Sequence, residues 1–166
     1  MLKGKNIVIG LTGSVAVYKI CELIRLLVKA GCNVDTIMTE SAAKFINPYL
    51  IEELSKNKCI TDTFERVAEF DVKHISLANK ADMFVVAPAT ANVVGKIANG
   101  IADDMLTTTI MATKAPKMIA PAMNPNMYSN SIFQNNLKRL SEYEDYIIQS
   151  TGEGEMVCGD FGSGRM

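Results

Sequence analysis

The chain has 166 residues, 48% hydrophobic and 21% charged; this is the size of one domain, with enough apolar content to bury a core and to exclude disorder. Seventeen Lys and Arg against eighteen Asp and Glu leave a net charge of −1, with no basic stripe for nucleic acid and no acidic solvating tail. Apolar runs fall far short of a membrane span, and the opening MLKGKNIVIGLTG, cut short by Gly10 and Thr12-Gly13-Ser14, reads as the first strand of a cytoplasmic protein and not as a signal peptide.

Lys5 to Leu11 is an apolar, β-branched run ended by a turn, as a strand should be. Ser14 to Ala30 then has helical spacing, with Ala16, Ile20, Leu23, Ile24 and Leu27 on one face and Lys19, Glu22, Arg25 and Lys29 on the other. Gly31 stops it. Val34 to Met38 is a second strand, Ser41 to Phe45 starts a helix, and Asn47-Pro48 starts another. Asp71 to Leu77 places His74 in the first turn of a helix reaching Lys80. Met83 to Ala87 is a strand ended by Pro88, followed by helices over Ala91–Ala98 and Asp103–Ala112 with Asn99-Gly100 between them. Lys117 to Ala120 is a strand, Ser131 to Leu140 a helix and Tyr146 to Ile148 a last short strand. Fully apolar strands alternating with helices predict a doubly wound α/β domain, its parallel sheet covered on both faces.

Such sheets bind ligands beyond the carboxyl ends of their strands. The segments that fall there are LTGSVA, MTESAAKF, APATANVVGK and APAMNPNMY, which are also rich in Gly, Ser, Thr and Asn. The first lacks G-x-G-x-x-G, so it suits one phosphate at a helix N-terminus better than a dinucleotide; Ser14 as a plain helix cap is the competing reading. Thr90 and Asn92 offer directed hydrogen bonds among small residues, and Thr90 also suits a helix N-cap. His74 is the sole histidine. The positive end of a helix favours a neutral ring that accepts protons, although a lone His is also a common surface or capping residue. Asp103-Asp104 has no third ligand at metal spacing and reads as helix N-terminal charge. Four cysteines, at 21, 32, 59 and 158, show no CxxC spacing, so neither zinc nor a disulfide framework is expected. Three of them read as small core residues. Cys158 stands instead in the glycine-rich tail Gly154–Met166, which reads either as a mobile flap, about residues 151–166, or as a disordered terminus.

Together GSVAVYK (13–19), TESAAKFI (39–46), HISL (74–77), APATANVVGKIANGIADDMLTT (87–108), APAMNPNMY (120–128) and CGDFGSGRM (158–166) resemble the flavin-dependent cysteine decarboxylase family, from Lys5 to Met166 and in order. The resemblance implies a single Rossmann-like flavoprotein domain over 1–166, with FMN as cofactor and no metal. It implies a carboxy-lyase that decarboxylates 4'-phospho-N-pantothenoylcysteine to 4'-phosphopantetheine for coenzyme A biosynthesis. By resemblance Gly13, Ser14, Val15, Thr39, Ser41, Thr90, Ala91, Asn92 and Ala122 contact FMN. His74 handles the thiol proton, Asn124 holds the substrate carboxylate and Cys158 protonates the enethiolate. Met127, Arg165 and Met166 enclose the substrate, and the family's trimeric assembly implies a homotrimer or a multiple of trimers. Two residues depart from the family pattern: Tyr128 stands where Trp is common, which alters packing, and Val93 stands where Thr is frequent, which removes a flavin hydrogen bond. Bifunctional relatives continue past the position of Met166, so a monofunctional enzyme or an excised half is expected. Peptidyl-cysteine oxidative decarboxylase and non-catalytic flavoprotein regulator remain as alternative readings.

Overall fold

A computed structural model describes residues 2–62, 72–155, 159 and 161–166. β1 (Asn6–Leu11) lies inside a parallel sheet, flanked by β2 (Asn33–Met38) and β4 (Met83–Ala89). β3 (Cys59–Ile60) extends the β2 side, while β5 (Lys117–Pro121) and β6 (Tyr146–Ile148) extend the other, giving the order β3-β2-β1-β4-β5-β6. Winding therefore reverses between β1 and β4, and their carboxyl ends diverge into a crevice at that point.

Alternation along the strands explains why the sheet is buried on both sides. Val8, Phe84, Val86 and Ile119 point into one core, against α4 (Lys73–Lys80), α5 (Ala91–Ala98), α6 (Met105–Ala112) and α8 (Ser131–Ser141). Ile7, Ile9, Leu11 and Val85 point into the other, against α1 (Ile20–Lys29) and α3 (Pro48–Ser55). Gly10 belongs to the packing of this sheet: a Cβ there would lie 2.6 Å from Leu106 Cδ1, so the missing side chain lets α6 sit down on β1.

Several sequence expectations are corrected. The helix expected from Ser14 begins as a 3-10 segment, Val15–Lys19, and becomes α-helical only at Ile20. The strand expected to stop at Pro88 continues through a cis Ala87-Pro88 bond to Ala89. The helix expected from Asp103 starts at Met105, because Asp104 caps it: the Asp104 carboxylate accepts from the Thr107 N–H while the Thr107 hydroxyl accepts from the Asp104 N–H. Asn124-Pro125 opens a further helical turn, α7 (Pro125–Tyr128), following α2 (Glu40–Ala43) and α3 in chain order. Tyr146–Ile148 is not the last strand: β7 (Gly152–Glu155) and β8 (Phe161–Arg165) pair as an antiparallel ribbon, so the tail carries secondary structure where none was expected. No helix among the described residues is long and apolar enough to cross a membrane.

Candidate functional site

Two strand ends meet at the crevice through a buried hydroxyl. Thr12, the residue after β1, is fully buried; its Oγ1 donates to the Pro88 carbonyl oxygen at 2.5 Å and accepts from the Thr90 N–H at 3.0 Å. The chain next turns at Gly13, where a Cβ would fall 2.6 Å from Ser41 Cβ, so the turns after β1 and β2 touch backbone to side chain. Thr39 and Thr90 each cap the helix that follows, accepting from the Ala42 and Val93 N–H groups respectively.

These contacts bound a cleft of about 440 Å³, lined by Gly13, Thr39, Ser41, Thr90, Ala91 and Asn92, and also by Glu40, Val93, Lys96, Asp103, Asp104 and Met127. Six residues expected to contact a cofactor thus converge, from three separate strand ends, on one space. Ser14 and Val15 follow Gly13 without lining the cleft; the Ser14 N–H donates to Thr12 O at 2.8 Å and its Oγ accepts from the Ala16 N–H, the bond of a helix cap. Ala122 is buried, its N–H donating to Ala89 O at 3.1 Å.

Asn124 is the N-cap of α7, its Oδ1 accepting from the Asn126 N–H at 2.8 Å. The glycines of β8 make the ribbon fit against this turn. Gly164 is at φ +115°; its carbonyl oxygen accepts from the Met123 N–H, and a Cβ there would lie 2.6 Å from Met123 O. At Gly162 a Cβ would meet the Pro125 ring at 3.0 Å. The far end of β8 leads to Met166, which packs against the core under α1 and whose carbonyl oxygen accepts from Lys19 Nζ. Arg165 is exposed on the ribbon. His74 is half-buried in the first turn of α4 and does not line the cleft. Cys158 lies outside the described residues. Of the two departures, Tyr128 packs its ring 5.8 Å from that of Phe133, and Val93 is buried in the core beside the cleft.

A group missed in the sequence is Lys96. Its Nζ lies 2.7 and 2.9 Å from the two carboxylate oxygens of Asp103 and 3.5 Å from Asp104 Oδ2, all three side chains on the cleft wall. The hydrogen bond it donates to Asp103 holds the Lys96 ammonium above its usual range, and the same bond holds the Asp103 carboxyl below its own. Residues expected merely to charge a helix end thus take part in the site. Among the described residues no cluster of His, Cys, Asp and Glu is arranged for a metal.

A second cleft, about 450 Å³, lies at the amino ends of β5 and β6. Its charged pair closes on itself: buried Lys117 bonds Asp145 Oδ2 at 2.5 Å and Ala115 O at 3.1 Å, over the Tyr146 ring. It lies at the end of the sheet away from the crevice.

The Flavoprotein family model matches residues 1–166. The bifunctional coenzyme A biosynthesis protein CoaBC of Bacillus subtilis (strain 168) is 48% identical over 167 residues, covering 100% of this chain and 41% of the relative; the chain spans about two-fifths of the length of the curated relatives it matches. Among solved structures, the FMN-dependent cysteine decarboxylase SpaF superposes with a TM-score of 0.85 at 32% identity, covering 98% of this chain and 91% of SpaF. A cysteine-to-serine variant of a PPC decarboxylase, in complex with pantothenoylaminoethenethiol, superposes with a TM-score of 0.86 at 28% identity, covering 99% and 91% of the two chains. The crevice of a parallel sheet, three strand ends converging on it and the match along the whole chain lead to one conclusion: this chain belongs to the Flavoprotein family.

Proposed function

We propose that the chain is an FMN-dependent phosphopantothenoylcysteine decarboxylase, converting 4'-phospho-N-pantothenoylcysteine to 4'-phosphopantetheine in coenzyme A biosynthesis. The observation that carries this reading is the convergence of Gly13, Thr39, Ser41, Thr90, Ala91 and Asn92 on one cleft beside the Asn124 turn. The similarity to CoaBC and to the PPC decarboxylase supports the same substrate.

The cleft fits FMN on its own terms. Its volume, about 440 Å³, lies within the usual range for small-ligand pockets. Where Gly13 meets Ser41 there is no space for another methyl, so hydroxyl and backbone groups form that wall and suit a single phosphate. Ala91 leaves the β4 end open to a flat ring. When bound, FMN supplies reversible two-electron redox chemistry.

Loss of CO₂ from a cysteine amide needs an electron sink beside the carboxylate. Oxidation of CH₂–SH to a thioaldehyde creates one, decarboxylation then gives an enethiolate, and re-reduction gives the saturated thiol. His74 takes the thiol proton at the outset. Asn124 holds the departing carboxylate; with Oδ1 turned to the Asn126 N–H, the amide's donor end has the polarity that a carboxylate requires. Met123 and Met127 exclude water, which strengthens that polar contact. Cys158 delivers the proton to the enethiolate, and the ribbon bearing Arg165 and Met166 encloses the substrate. Ser14, Val15 and Ala122 complete the cofactor contacts around the lining residues. The protein acts as a homotrimer, or a multiple of trimers, in the cytoplasm.

The test is product analysis with purified protein and phosphopantothenoylcysteine. CO₂, the saturated thiol and oxidised flavin at the end of turnover are expected. An enethiol with accumulating reduced flavin would instead identify an oxidative peptidyl-cysteine type of enzyme, and flavin binding without CO₂ a regulator. His74→Asn should keep its yellow flavin and release no CO₂; normal release by that variant overturns the base assignment. Cys158→Ser should release CO₂ and accumulate the enethiol, and saturated thiol formed at the native rate would remove Cys158 from its role.

A further inference from the structure

We infer that Lys96, clamped by Asp103 and Asp104 on the cleft wall, is a positioning residue whose charge sets the reduction potential of the bound flavin. The inference rests on the flavin reading above and goes beyond it. Asn92 and Lys96 are four apart on α5, hence on one helical face, and both line the cleft. Asp103 and Asp104 reach the same ammonium from the start of α6, at 2.7 and 3.5 Å.

The clamp is held in place from more than one side. Asp104 Oδ1 is committed to the Thr107 N–H and hydroxyl, both at 2.8 Å, which leaves Oδ2 aimed at Lys96. Asp103 uses both carboxylate oxygens on the one ammonium. The lysine side chain is only 21% exposed, so solvent screens it less than it would a surface pair. A surface ion pair would serve only modest stability. Here one cation and two anions form part of the wall that any cofactor in the cleft must face.

Charge sorting then fixes which end faces them. Two carboxylates flanking a single ammonium leave this wall at net −1, which repels a phosphate, whereas Glu40 on the Gly13–Ser41 side is exposed to solvent and balanced by Lys44 at 3.3 Å. The phosphate therefore takes the Gly13–Ser41 wall, and the ring falls towards α5 and α6. A flavin ring gains negative charge on reduction, so a nearby cation favours the reduced form and a nearby anion opposes it. Lys96 and its two partners act against each other, and their sum sets the potential.

The experiment compares midpoint potentials of FMN-loaded wild type, Lys96→Met, Asp103→Asn and Lys96→Arg, by equilibration with redox dyes and the flavin absorption spectrum. Lys96→Met removes the cation and should lower the potential. Asp103→Asn removes an anion and should raise it. Each shift should change the oxidised-to-reduced ratio at a fixed solution potential by at least about tenfold, in opposite senses. Lys96→Arg keeps the charge and should hold the wild-type value. A merely structural ion pair would lower the melting temperature of both neutralised variants with no signed shift in potential. Flavin bound normally with potentials equal in all four proteins overturns the inference and leaves the decarboxylase reading standing. If the wild-type chain takes up no FMN, both fall. Should Lys96→Met fail to fold, Asp103→Asn decides the matter, because an unchanged or lowered potential in it is enough to refute.

Discussion

Thr12→Val removes one hydroxyl and keeps the shape of the side chain, so it isolates the bonds that strap the end of β1 to the end of β4 beyond their ladder. In the wild type Thr12 Oγ1 donates to Pro88 O at 2.5 Å and accepts from the Thr90 N–H at 3.0 Å, with the side chain fully buried. Valine leaves the buried Pro88 carbonyl without that donor, at a cost of about 1–3 kcal/mol, and loses about 1 kcal/mol more at the half-buried Thr90 N–H. The sum, roughly 2–4 kcal/mol, corresponds to a fall of about 4–16 °C in Tm for a domain of this size. Thr12→Ser keeps both bonds and gives up one methyl, costing only about 1 kcal/mol. Thermal unfolding of the FMN-free proteins by circular dichroism measures the difference, and FMN titration should show weaker binding in Thr12→Val, because Thr90 no longer anchors the cleft edge. A Val variant as stable as the Ser variant would refute the strap and the calculation with it.

Gly13→Ala places a Cβ 2.6 Å from Ser41 Cβ, so the turns after β1 and β2 must part; FMN affinity should fall by at least about tenfold in a flavin fluorescence titration, the equivalent of about 1.4 kcal/mol. Gly164→Ala combines φ +115° with a Cβ 2.6 Å from Met123 O, and should unseat the ribbon from α7: kcat/KM falls strongly while Tm changes little, and a variant with native kinetics would show that the seated ribbon is not needed. Tyr146 yields an alkaline prediction. Burial first, then the charges of Asp145 and Tyr143, push its phenol from 10.0 up to about 12. The folded state therefore prefers the neutral ring. The stability it contributes is complete below the unfolded value of about 10 and is lost as pH rises towards about 12. Tyr146→Phe should show a shallower loss of denaturant midpoint over that window, and an identical slope would refute the assignment.

The sheet was legible because its strands announce themselves: NIVIGL and MFVVAPA are apolar enough to be buried on both faces, NVDTIM buries Val34, Ile37 and Met38, and the turns after them carry polar residues. The cleft segments followed from topology, since they come after carboxyl ends of strands, and the individual residues Gly13, Thr39, Ser41 and Thr90 from the family resemblance. What stayed hidden is non-local. Thr12 looks like any turn threonine until Pro88, 76 positions away, is placed beside it. The tail glycines read as freedom, yet Gly162 and Gly164 are contact surfaces for Pro125 and Met123, some forty residues upstream. Lys96 and Asp103 pair across the Asn99-Gly100 turn, a spacing of seven that no helical rule pairs. The α7 turn was a different kind of miss. Asn124-Pro125 carries a proper start signal, an Asn cap with Pro at the first helical position, but the turn it opens, Pro125–Tyr128, is too short to show a helical period.

The segment from Thr12 to Lys19 is held from three directions at once: by Thr90 and Pro88 through Thr12, by Ser41 through Gly13, and by Met166 through Lys19. None of these four partners is its neighbour in sequence, so each contact must itself be stabilised by the fold that brings it there. A cofactor bound against this turn orders a segment that the ribbon also grips, and whichever arrives first lowers the conformational cost for the other. Linkage makes that coupling reciprocal: seating the ribbon should tighten FMN binding by the same factor by which FMN tightens the ribbon. The substitutions at Thr12, Gly13 and Gly164 then bear on one coupled unit, and their effects on FMN affinity should combine non-additively, whereas Tyr146, at the opposite end of the sheet, should add independently.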